Sequence, residues 1–299
     1  TPLYSSAASD VYKRQLLATI LLNGVSFSML LFLLAAGLEL MFGVMSIINL
    51  AHGSFYMVGA YVGIITVKST GSFLLGLLAG MAIGALLGVM TEHFFFSRIP
   101  KHLQQVLLTF GIVYILADVC KSVWGGNPIG ISAPEILAGS ITIGTMLFPL
   151  YRLLIVLIGS FIAIALWLFQ EKTLLGAVIR AGVDDKEMVS GFGINIKMLN
   201  TIVFAFGSLL AGLAGVIGSP ILFVYPRVSW DILILSMMVV VIGGMGSLRG
   251  ALIGSVIIGL TDSLAKFFIP SAATVLTFSV MVVFLILRPS GIFGAGKPR

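Results

Sequence analysis

The stretch that decides the fold is residues 16–67, which read LLATILLNGVSFSMLLFLLAAGLELMFGVMSIINLAHGSFYMVGAYVGIITV. Glu39 is the only formally charged residue in it. A transmembrane helix needs about 20 predominantly apolar residues, so this stretch is long enough to cross a bilayer at least twice. A soluble helical protein would instead show apolar stripes alternating with charged faces. The stretch therefore predicts an all-α, polytopic membrane protein.

The remainder of the chain has the same character. Of its 299 residues, 59% are hydrophobic and 9% are charged, whereas soluble domains carry about 25% charged residues. Polar loops separate nine apolar segments: 16–42, 44–67, 73–90, 103–119, 146–169, 201–225, 232–242, 251–268 and 275–287. We predict a transmembrane helical bundle of about eight to ten crossings with broken helices, formed by residues 16–299 as one domain.

Residues 1–15, TPLYSSAASDVYKRQ, are polar and unlike the apolar segments of the chain. We predict a disordered or non-native segment and leave it out of the fold. Lys13 and Arg14 before an apolar run also resemble the start of a signal peptide, but that run exceeds the about 7–15 apolar residues of such a peptide. Cleavage is therefore the less favoured interpretation.

The distribution of Lys and Arg predicts the orientation. The polar loop 170–200 contains Lys172, Arg180, Lys186 and Lys197, and the positive-inside rule places such a loop in the cytoplasm. Arg249 and the basic C-terminal tail then lie on the same side if residues 243–247 separate two crossings. Nine crossings leave the N-terminus outside. A tenth crossing, made by splitting residues 16–53 near residues 37–43, would place it inside, and the sequence leaves both open.

Two apolar segments are interrupted by polar or glycine residues. Residues 43–53 include Asn49 and His52, and residues 243–247 read GGMGS. Discontinuous helices often lie beside the substrate path of a transporter. The candidate path residues are Glu39, Asn49, His52, Gly53, Gly243, Gly244 and Gly246. Asn49 and His52 also fit a second interpretation, in which they only form hydrogen bonds between helices.

A ladder of glycines lies in the third apolar segment. Gly76, Gly80, Gly84 and Gly88 recur every four residues, so one helix would carry them all on one face. Small residues let helix backbones approach closely, and we predict a packing stripe with no chemical role.

The chain lacks the sequence signals of an enzyme. Its Gly-Lys pair, Gly296 and Lys297, precedes a proline and does not form a phosphate-binding loop. The titratable candidates are scattered without the spacing of metal ligands; they are Glu39, His52, His93, His102 and Asp118. We therefore predict no enzymatic activity, no metal and no cofactor bound by this chain.

The polar loop contains the signals of a short helix. Asp184 or Asp185 can cap its start and Gly193 can end it. Such a helix would expose Met188, Val189 and Phe192, which either face a docking partner or fold back onto the bilayer.

Four blocks of the sequence together resemble one transporter family. They are residues 43–61 (GVMSIINLAHGSFYMVGAY), the loop that begins with 180–185 (RAGVDD), residues 243–247 with Gly250 and Ala251, and residues 288–294 (RPSGIFG). The chain thereby resembles the permeases of branched-chain amino acid ATP-binding-cassette (ABC) transporters, and among them the shorter, H-type permease. The likeness covers nearly the whole chain beyond residue 15.

This resemblance implies a set of partners. A related but different permease chain would pair with this one in the prokaryotic cytoplasmic (inner) membrane, with two ATPases below and a substrate-binding protein outside. ATP would be used by the partner subunits. The polar loop would be the ATPase-coupling loop, with candidate residues Arg180, Ala181, Gly182, Asp184, Asp185, Glu187, Met188, Gly193 and Ile194. The alternatives are an ion-coupled secondary transporter or a channel, and the substrate could also be another amino acid, an amide or urea.

Overall fold

The structure is a computed structural model that describes residues 2–45, 47–99, 101–143 and 146–293. Within these ranges the α-helices are α1 (Pro2–Met45), α2 (His52–Thr70), α3 (Phe73–Phe94), α4 (His102–Trp124), α5 (Leu150–Lys172), α6 (Leu174–Asp184), α7 (Lys186–Gly191), α8 (Ile196–Gly218), α9 (Val228–Gly243), α10 (Leu248–Phe268) and α11 (Ala273–Leu287). Strands β1 (Ser140–Ile143) and β2 (Met146–Pro149) form an antiparallel hairpin. The all-α membrane bundle predicted from the sequence is confirmed.

Within the described part of the chain, seven helical segments are long and apolar enough to cross a membrane. They belong to α1, α3, α4, α5, α8, α10 and α11, and the other two predicted segments correspond to α2 and α9. α2 carries fewer strongly apolar side chains because protein surrounds most of it, from His52 to Ile64. A helix that does not face lipid needs no apolar outer surface. The number of crossings, eight to ten, stays a prediction.

The boundaries of α1 correct one expectation. α1 is continuous through residues 37–43, so the proposed tenth crossing by a split at that point is wrong. The chain leaves helical geometry only after Met45, and α2 begins at His52. Residues 2–15, which we predicted to lie outside the fold, are part of α1. That this segment is not native stays a prediction.

The bundle has a buried centre and an outer layer. In α8, 72% of the apolar window is buried, whereas the corresponding figure for α11 is 11%. α8 packs against α1, α2 and α3, and α1 packs against α10. The outer helices α3, α4, α5 and α11 expose large apolar side chains, which suits a surface solvated by lipid.

The glycine stripe of α3 is a packing surface, as predicted. Gly76, Gly80, Gly84 and Gly88 are all buried. A Cβ atom added to Gly84 would lie 2.5 Å from the backbone oxygen of Ser208 in α8. The two helices could not approach this closely with larger residues in the stripe.

Two contacts mark the two ends of the bundle. Arg249, in the first turn of α10, forms an ion pair of 3.2 Å with Glu171 at the end of α5. We call this end, which carries residues 170–200, the inner end. At the opposite, outer end, Ile129 and Val224 exchange backbone hydrogen bonds of 2.9 and 2.8 Å. These contacts agree with the predicted placement of Arg249 beside the coupling loop.

The outer end holds a feature that the apolar pattern misplaced. Residues 146–149 form β2, so α5 begins at Leu150 and not at residue 146. Pro149 precedes the helix with an extended backbone conformation. Apolar side chains in a short exposed strand look the same in sequence as the first turn of a crossing helix.

Candidate translocation and coupling site

Glu39 joins two helices that are far apart in sequence. Its side chain is 3% exposed, and its Oε2 accepts a hydrogen bond of 2.5 Å from the backbone N–H of Gly246. Gly246 lies just before α10, where unpaired N–H groups make a favourable place for a carboxylate. Oε1 of Glu39 has no partner among the described residues. Glu39 is therefore a buried glutamate that is paired with a backbone N–H group.

The α9–α10 break consists of residues 244–247. Gly244 and Gly246 have positive φ angles of 97° and 86°, which side chains other than glycine rarely adopt. Ser247 caps α10 because its Oγ accepts a hydrogen bond of 3.1 Å from the N–H of Gly250. Gly243 and Gly250 lie so close together that a Cβ atom on either would overlap the backbone of the other. The predicted interruption is confirmed as a sharp turn between two helices.

Asn49 and His52 form hydrogen bonds in the core. Asn49 Oδ1 accepts a hydrogen bond of 3.0 Å from the N–H of Ala51, just before α2. His52 Nε2 lies 2.9 Å from the carbonyl oxygen of Leu34 in α1, so Nε2 carries the proton and donates it. Nδ1 has no partner among the described residues. These contacts favour the interpretation in which both residues hold helices together.

Gly53 marks a close approach between α2 and α9. A Cβ atom at this position would lie 2.9 Å from the Cβ atom of Leu233 and would overlap the carbonyl group of Ser229. Gly53 is therefore required for packing, and a role in a path is not needed to explain its identity.

The predicted path residues form two groups. Glu39 belongs to α1. Asn49 and His52 form hydrogen bonds to α1, at Met41 and Leu34. Gly243 ends α9, Gly244 and Gly246 lie in the α9–α10 break, and Glu39 connects the two groups through its hydrogen bond to Gly246. Lining of a path by these residues stays a prediction.

The coupling loop contains two helices, α6 and α7. Asp185 caps α7, and its Oδ1 accepts hydrogen bonds of 2.9 and 3.0 Å from the N–H groups of Glu187 and Met188. Gly193 follows with a φ of 80°. The predicted cap and end of this helix are confirmed for Asp185 and Gly193. The side chain of Asp184 lies outside the described residues.

The exposed face of α7 differs from the prediction at one residue. The side chains of Met188 and Phe192 are 59% and 75% exposed, as expected. Val189 is 3% exposed because α7 packs against α6 and α8, so its predicted exposure was wrong. Of the three residues, Met188 and Phe192 therefore remain exposed on the inner surface.

α6 connects this surface to the core. Gly43, near the end of α1, has Val183 Cγ2 and the Cα atom of Gly246 within 3.4 and 3.6 Å of the position a Cβ atom would take. Gly182 packs near Leu199 of α8. Arg180 Nη1 is buried without a partner among the described residues. The predicted coupling loop thus touches α1 at Gly43, and Gly43 packs on the α9–α10 break.

The C-terminal segment completes this region. The N–H groups of Ile292 and Phe293 donate hydrogen bonds of 2.9 and 3.0 Å to the carbonyl groups of Ile242 and Gly243, at the end of α9. Gly291, with a φ of 78°, packs directly on Gly244. Gly294, the last residue of the block, lies outside the described residues.

Sequence reasoning missed a polar cavity of about 230 Å³ at the inner end. Glu92 in its wall is 2% exposed and accepts a hydrogen bond from Thr201 Oγ1. Gln105 Oε1 and Asn200 Oδ1 are buried without partners among the described residues. The signal was the polar triplet 91–93, THE, directly after an apolar segment.

A bundle of long apolar helices, with a tight glycine turn between two of them and an apolar helix face exposed at its inner end, is typical of the class of membrane-spanning transporter subunits. The family model described as "Branched-chain amino acid transport system / permease component" matches residues 20–287. The chain belongs to this family.

Individual proteins agree with the family assignment. The high-affinity branched-chain amino acid transport system permease protein LivH of Escherichia coli K12 is 25% identical over 290 residues, which cover 91% of this chain and 94% of LivH. BraD of Pseudomonas aeruginosa, whose description is the same, is 25% identical over 92% of this chain and 94% of BraD. The probable permease LivM of Methanocaldococcus jannaschii is 30% identical over 56% of this chain and 52% of LivM. The predicted resemblance to H-type permeases is confirmed.

A solved structure shares the fold. A chain of PsaBC from Streptococcus pneumoniae in complex with Fab superposes with a TM-score of 0.51 and 13% identity, over 91% of this chain and 92% of that chain.

Proposed function

We propose that this chain is one of two membrane-spanning subunits of an ABC importer for branched-chain amino acids in a prokaryotic inner membrane. A related permease chain, two ATPases and an external substrate-binding protein complete the assembly. The partner ATPases use the ATP, and this chain binds no cofactor and has no enzymatic activity of its own. The observation that carries the proposal is the contact of α6 with Gly43, which in turn packs on Gly246, next to the exposed face of α7.

The proposed mechanism is alternating access. Closure of the ATPases on ATP moves α7, whose exposed side chains Met188 and Phe192 dock into them. α6 carries this motion to Gly43 in α1, and Gly43 passes it to Gly246 in the α9–α10 break. Because Glu39 binds Gly246, α1 and α10 then move together. Packed helices switch between discrete arrangements more readily than they deform continuously, which suits opening first to one side and then to the other.

The proposed substrate fits the electrostatics of the bundle. A zwitterionic, aliphatic amino acid has no net charge and needs little fixed charge along its path. Ionisable side chains are few in the apolar segments, and the carboxyl group of Glu39 is already bound to a backbone N–H. We propose that Glu39, Asn49, His52, Gly53, Gly243, Gly244 and Gly246 shape the path through the helix arrangement that they hold.

One observation favours a second candidate, an ion-coupled secondary transporter or channel. Oε1 of Glu39 and Nδ1 of His52 are buried titratable atoms without partners among the described residues. Such groups mark ion pathways in other membrane proteins. Proteoliposomes separate the candidates, because an ABC importer needs ATP and the ATPases, whereas a secondary transporter needs an ion gradient and this chain alone.

Uptake by the reconstituted four-subunit assembly with its binding protein is the direct test. We expect uphill uptake of leucine, isoleucine and valine that stops when ATP is omitted or when the ATPases carry a catalytic mutation. Uphill uptake by the permease chains alone, driven by a proton or sodium gradient, would overturn the proposal. Uptake of urea or amides in preference to leucine would overturn the substrate only.

The coupling role has its own test. The double variant Met188→Ser and Phe192→Ser removes the exposed apolar face of α7, and we expect loss of ATPase co-purification and of substrate-stimulated ATP hydrolysis. Ile136→Ser is the matched control, because Ile136 is 90% exposed at the outer end, where an ATPase cannot reach. Unchanged co-purification of the double variant would show that the ATPases dock elsewhere.

A further inference from the structure

A second polar cavity opens at the outer end of the bundle. Its volume is about 330 Å³, which lies within the range of about 300–1,000 Å³ that is typical of small-molecule sites. The walls come from α1, α5, α10 and the turn that follows α8. The walls include Phe27, Arg152, Ile221, Leu222, Asp262 and Lys266.

One wall of this outer cavity carries an ion pair. Lys266 Nζ lies 2.7 Å from Asp262 Oδ2, one helical turn earlier in α10. The Asp262 side chain is 8% exposed, and Lys266 Nζ lies 5.3 Å from the ring centre of Phe27, where a cation is attracted by the ring face. The pair occupies Oδ2 of Asp262 and leaves Oδ1 able to accept another hydrogen bond.

Arg152 on another wall has no such partner. It lies in the first turn of α5 and is half-buried. The ion pairs among the described residues are Arg249 with Glu171 and Lys266 with Asp262, so no carboxylate there neutralises Arg152. A half-buried guanidinium group with five N–H donors binds a carboxylate through two parallel hydrogen bonds.

The remaining walls are mixed, because Asn23 and Ser263 are polar and the others are apolar. Ile221, Leu222 and Phe267 line the cavity beside the charged groups. An arginine without a partner, a carboxylate with a free oxygen and an apolar surface form a combination suited to one chemical class. That class has a carboxylate, an ammonium group and an aliphatic side chain.

We propose that the outer cavity binds a free aliphatic α-amino acid as it enters the permease. The carboxylate of the amino acid binds Arg152, its ammonium group binds Oδ1 of Asp262, and its side chain packs on Ile221 and Leu222. This inference rests on the proposed function, because the ligand class is that of the proposed substrate. The site lies at the outer end, about the length of α10 from the α9–α10 break, and so precedes the path residues.

The composition of the cavity distinguishes this site from an arginine that only binds lipid. An arginine at a helix end commonly extends its side chain toward the membrane surface and binds lipid phosphate. Here Arg152 lines the same cavity as Asp262, so the walls offer N–H donors to a carboxylate and a carboxylate oxygen to an ammonium group, which a phosphate does not have. A zwitterion satisfies both groups at once.

Direct binding to the four-subunit assembly without the binding protein tests the proposal. Scintillation proximity with radiolabelled leucine gives the dissociation constant, and competition with leucinamide and N-acetylleucine reports each end of the ligand separately. We expect Arg152→Gln to weaken leucine binding at least tenfold and to abolish the preference for leucine over leucinamide. Asp262→Asn should abolish the preference for leucine over N-acetylleucine.

The controls keep structural damage apart from lost recognition. Arg152→Lys retains the charge and should recover part of the affinity. Arg227→Gln removes an exposed arginine at the same end, outside the cavity, and should leave leucine binding within twofold of the unmodified protein. The melting temperature of each variant is measured first. The leucine affinity of a variant that melts at a lower temperature is compared with that of Arg152→Lys.

The outcomes also separate this site from the proposed function. ATP-driven leucine uptake together with unchanged affinity in Arg152→Gln overturns the cavity and leaves the importer intact. Equal losses in Arg152→Gln and Arg227→Gln overturn it too, because a general charge effect would explain both. Stability of Arg152→Gln that depends on anionic lipid, without a change in leucine affinity, assigns the arginine to lipid. Absence of ATP-driven uptake in the unmodified assembly refutes the proposed function itself.

Discussion

Replacement of Glu39 by alanine should separate α1 from the start of α10. The side chain is 3% exposed, and its hydrogen bond of 2.5 Å to Gly246 N–H spans two helices that are 207 positions apart in sequence. A hydrogen bond to a charged group contributes roughly 1.5–3 kcal/mol, and a neutral one roughly 0.5–1.5 kcal/mol. Taking a loss of about 2 kcal/mol, we expect a fall in Tm of roughly 4–8 °C, at about 2–4 °C per kcal/mol.

The assay is thermal unfolding of the detergent-solubilised assembly, followed by ATP hydrolysis at a temperature at which both proteins are folded. Glu171→Ala is the matched control, because it removes a carboxylate that is 39% exposed and whose ion pair contributes only about 0–1 kcal/mol. We also expect Glu39→Ala to uncouple hydrolysis from uptake; Glu171→Ala is the control for Tm only, because Glu171 lies at the start of the predicted coupling loop. Equal Tm values for the two variants, with normal coupling, would refute the role of Glu39 as a link between helices.

Three further predictions rest on single contacts. Gly53→Ala should lower Tm and slow uptake, because the new methyl group would lie 2.9 Å from the Cβ atom of Leu233; normal Tm would contradict this packing. Asp185→Ala should cost about 1 kcal/mol of local helix stability by loss of the cap, measured as faster amide hydrogen exchange in α7, and unchanged exchange would contradict it. Burial, followed by the hydrogen bond to Asp231, raises the pKa of Tyr225 to about 12. Folding therefore favours the neutral form of the Tyr225 side chain. The contribution of this side chain to protein stability is complete below the unfolded pKa of about 10 and is lost as the pH rises toward 12. Tyr225→Phe should lose less stability between these pH values than the unmodified protein, and identical pH profiles would contradict this.

The parts of the fold that depend on local physics could be predicted from the sequence. Lipid requires long apolar helices, and all nine apolar segments correspond to helices. The cap formed by Asp185 depends on the next three residues, and the end of the coupling helix depends on Gly193. These features need no knowledge of distant contacts.

The features that depend on tertiary packing could not be predicted. The partner of Glu39 lies 207 positions away, and nothing near Glu39 in sequence indicates it. Val189 is buried because α7 packs against α6 and α8, and a helix of this length has no periodicity from which to read its buried side. The cavity around Arg152 forms only where three helices and a turn meet. The sequence of each segment, mainly apolar with a few polar residues, does not indicate that they meet.

The four sequence blocks that carried the resemblance meet at one place in the fold. Gly43 from the first block packs on both Val183 from the second and Gly246 from the third, and Gly291 from the fourth packs on Gly244 in the same turn. Ile292 and Phe293 hold the end of α9 through backbone hydrogen bonds, and Glu39 holds the start of α10. A displacement of α6 therefore cannot move α1 without also loading the turn between α9 and α10. This shared contact explains how one short loop at the surface can rearrange helices that cross the entire bundle.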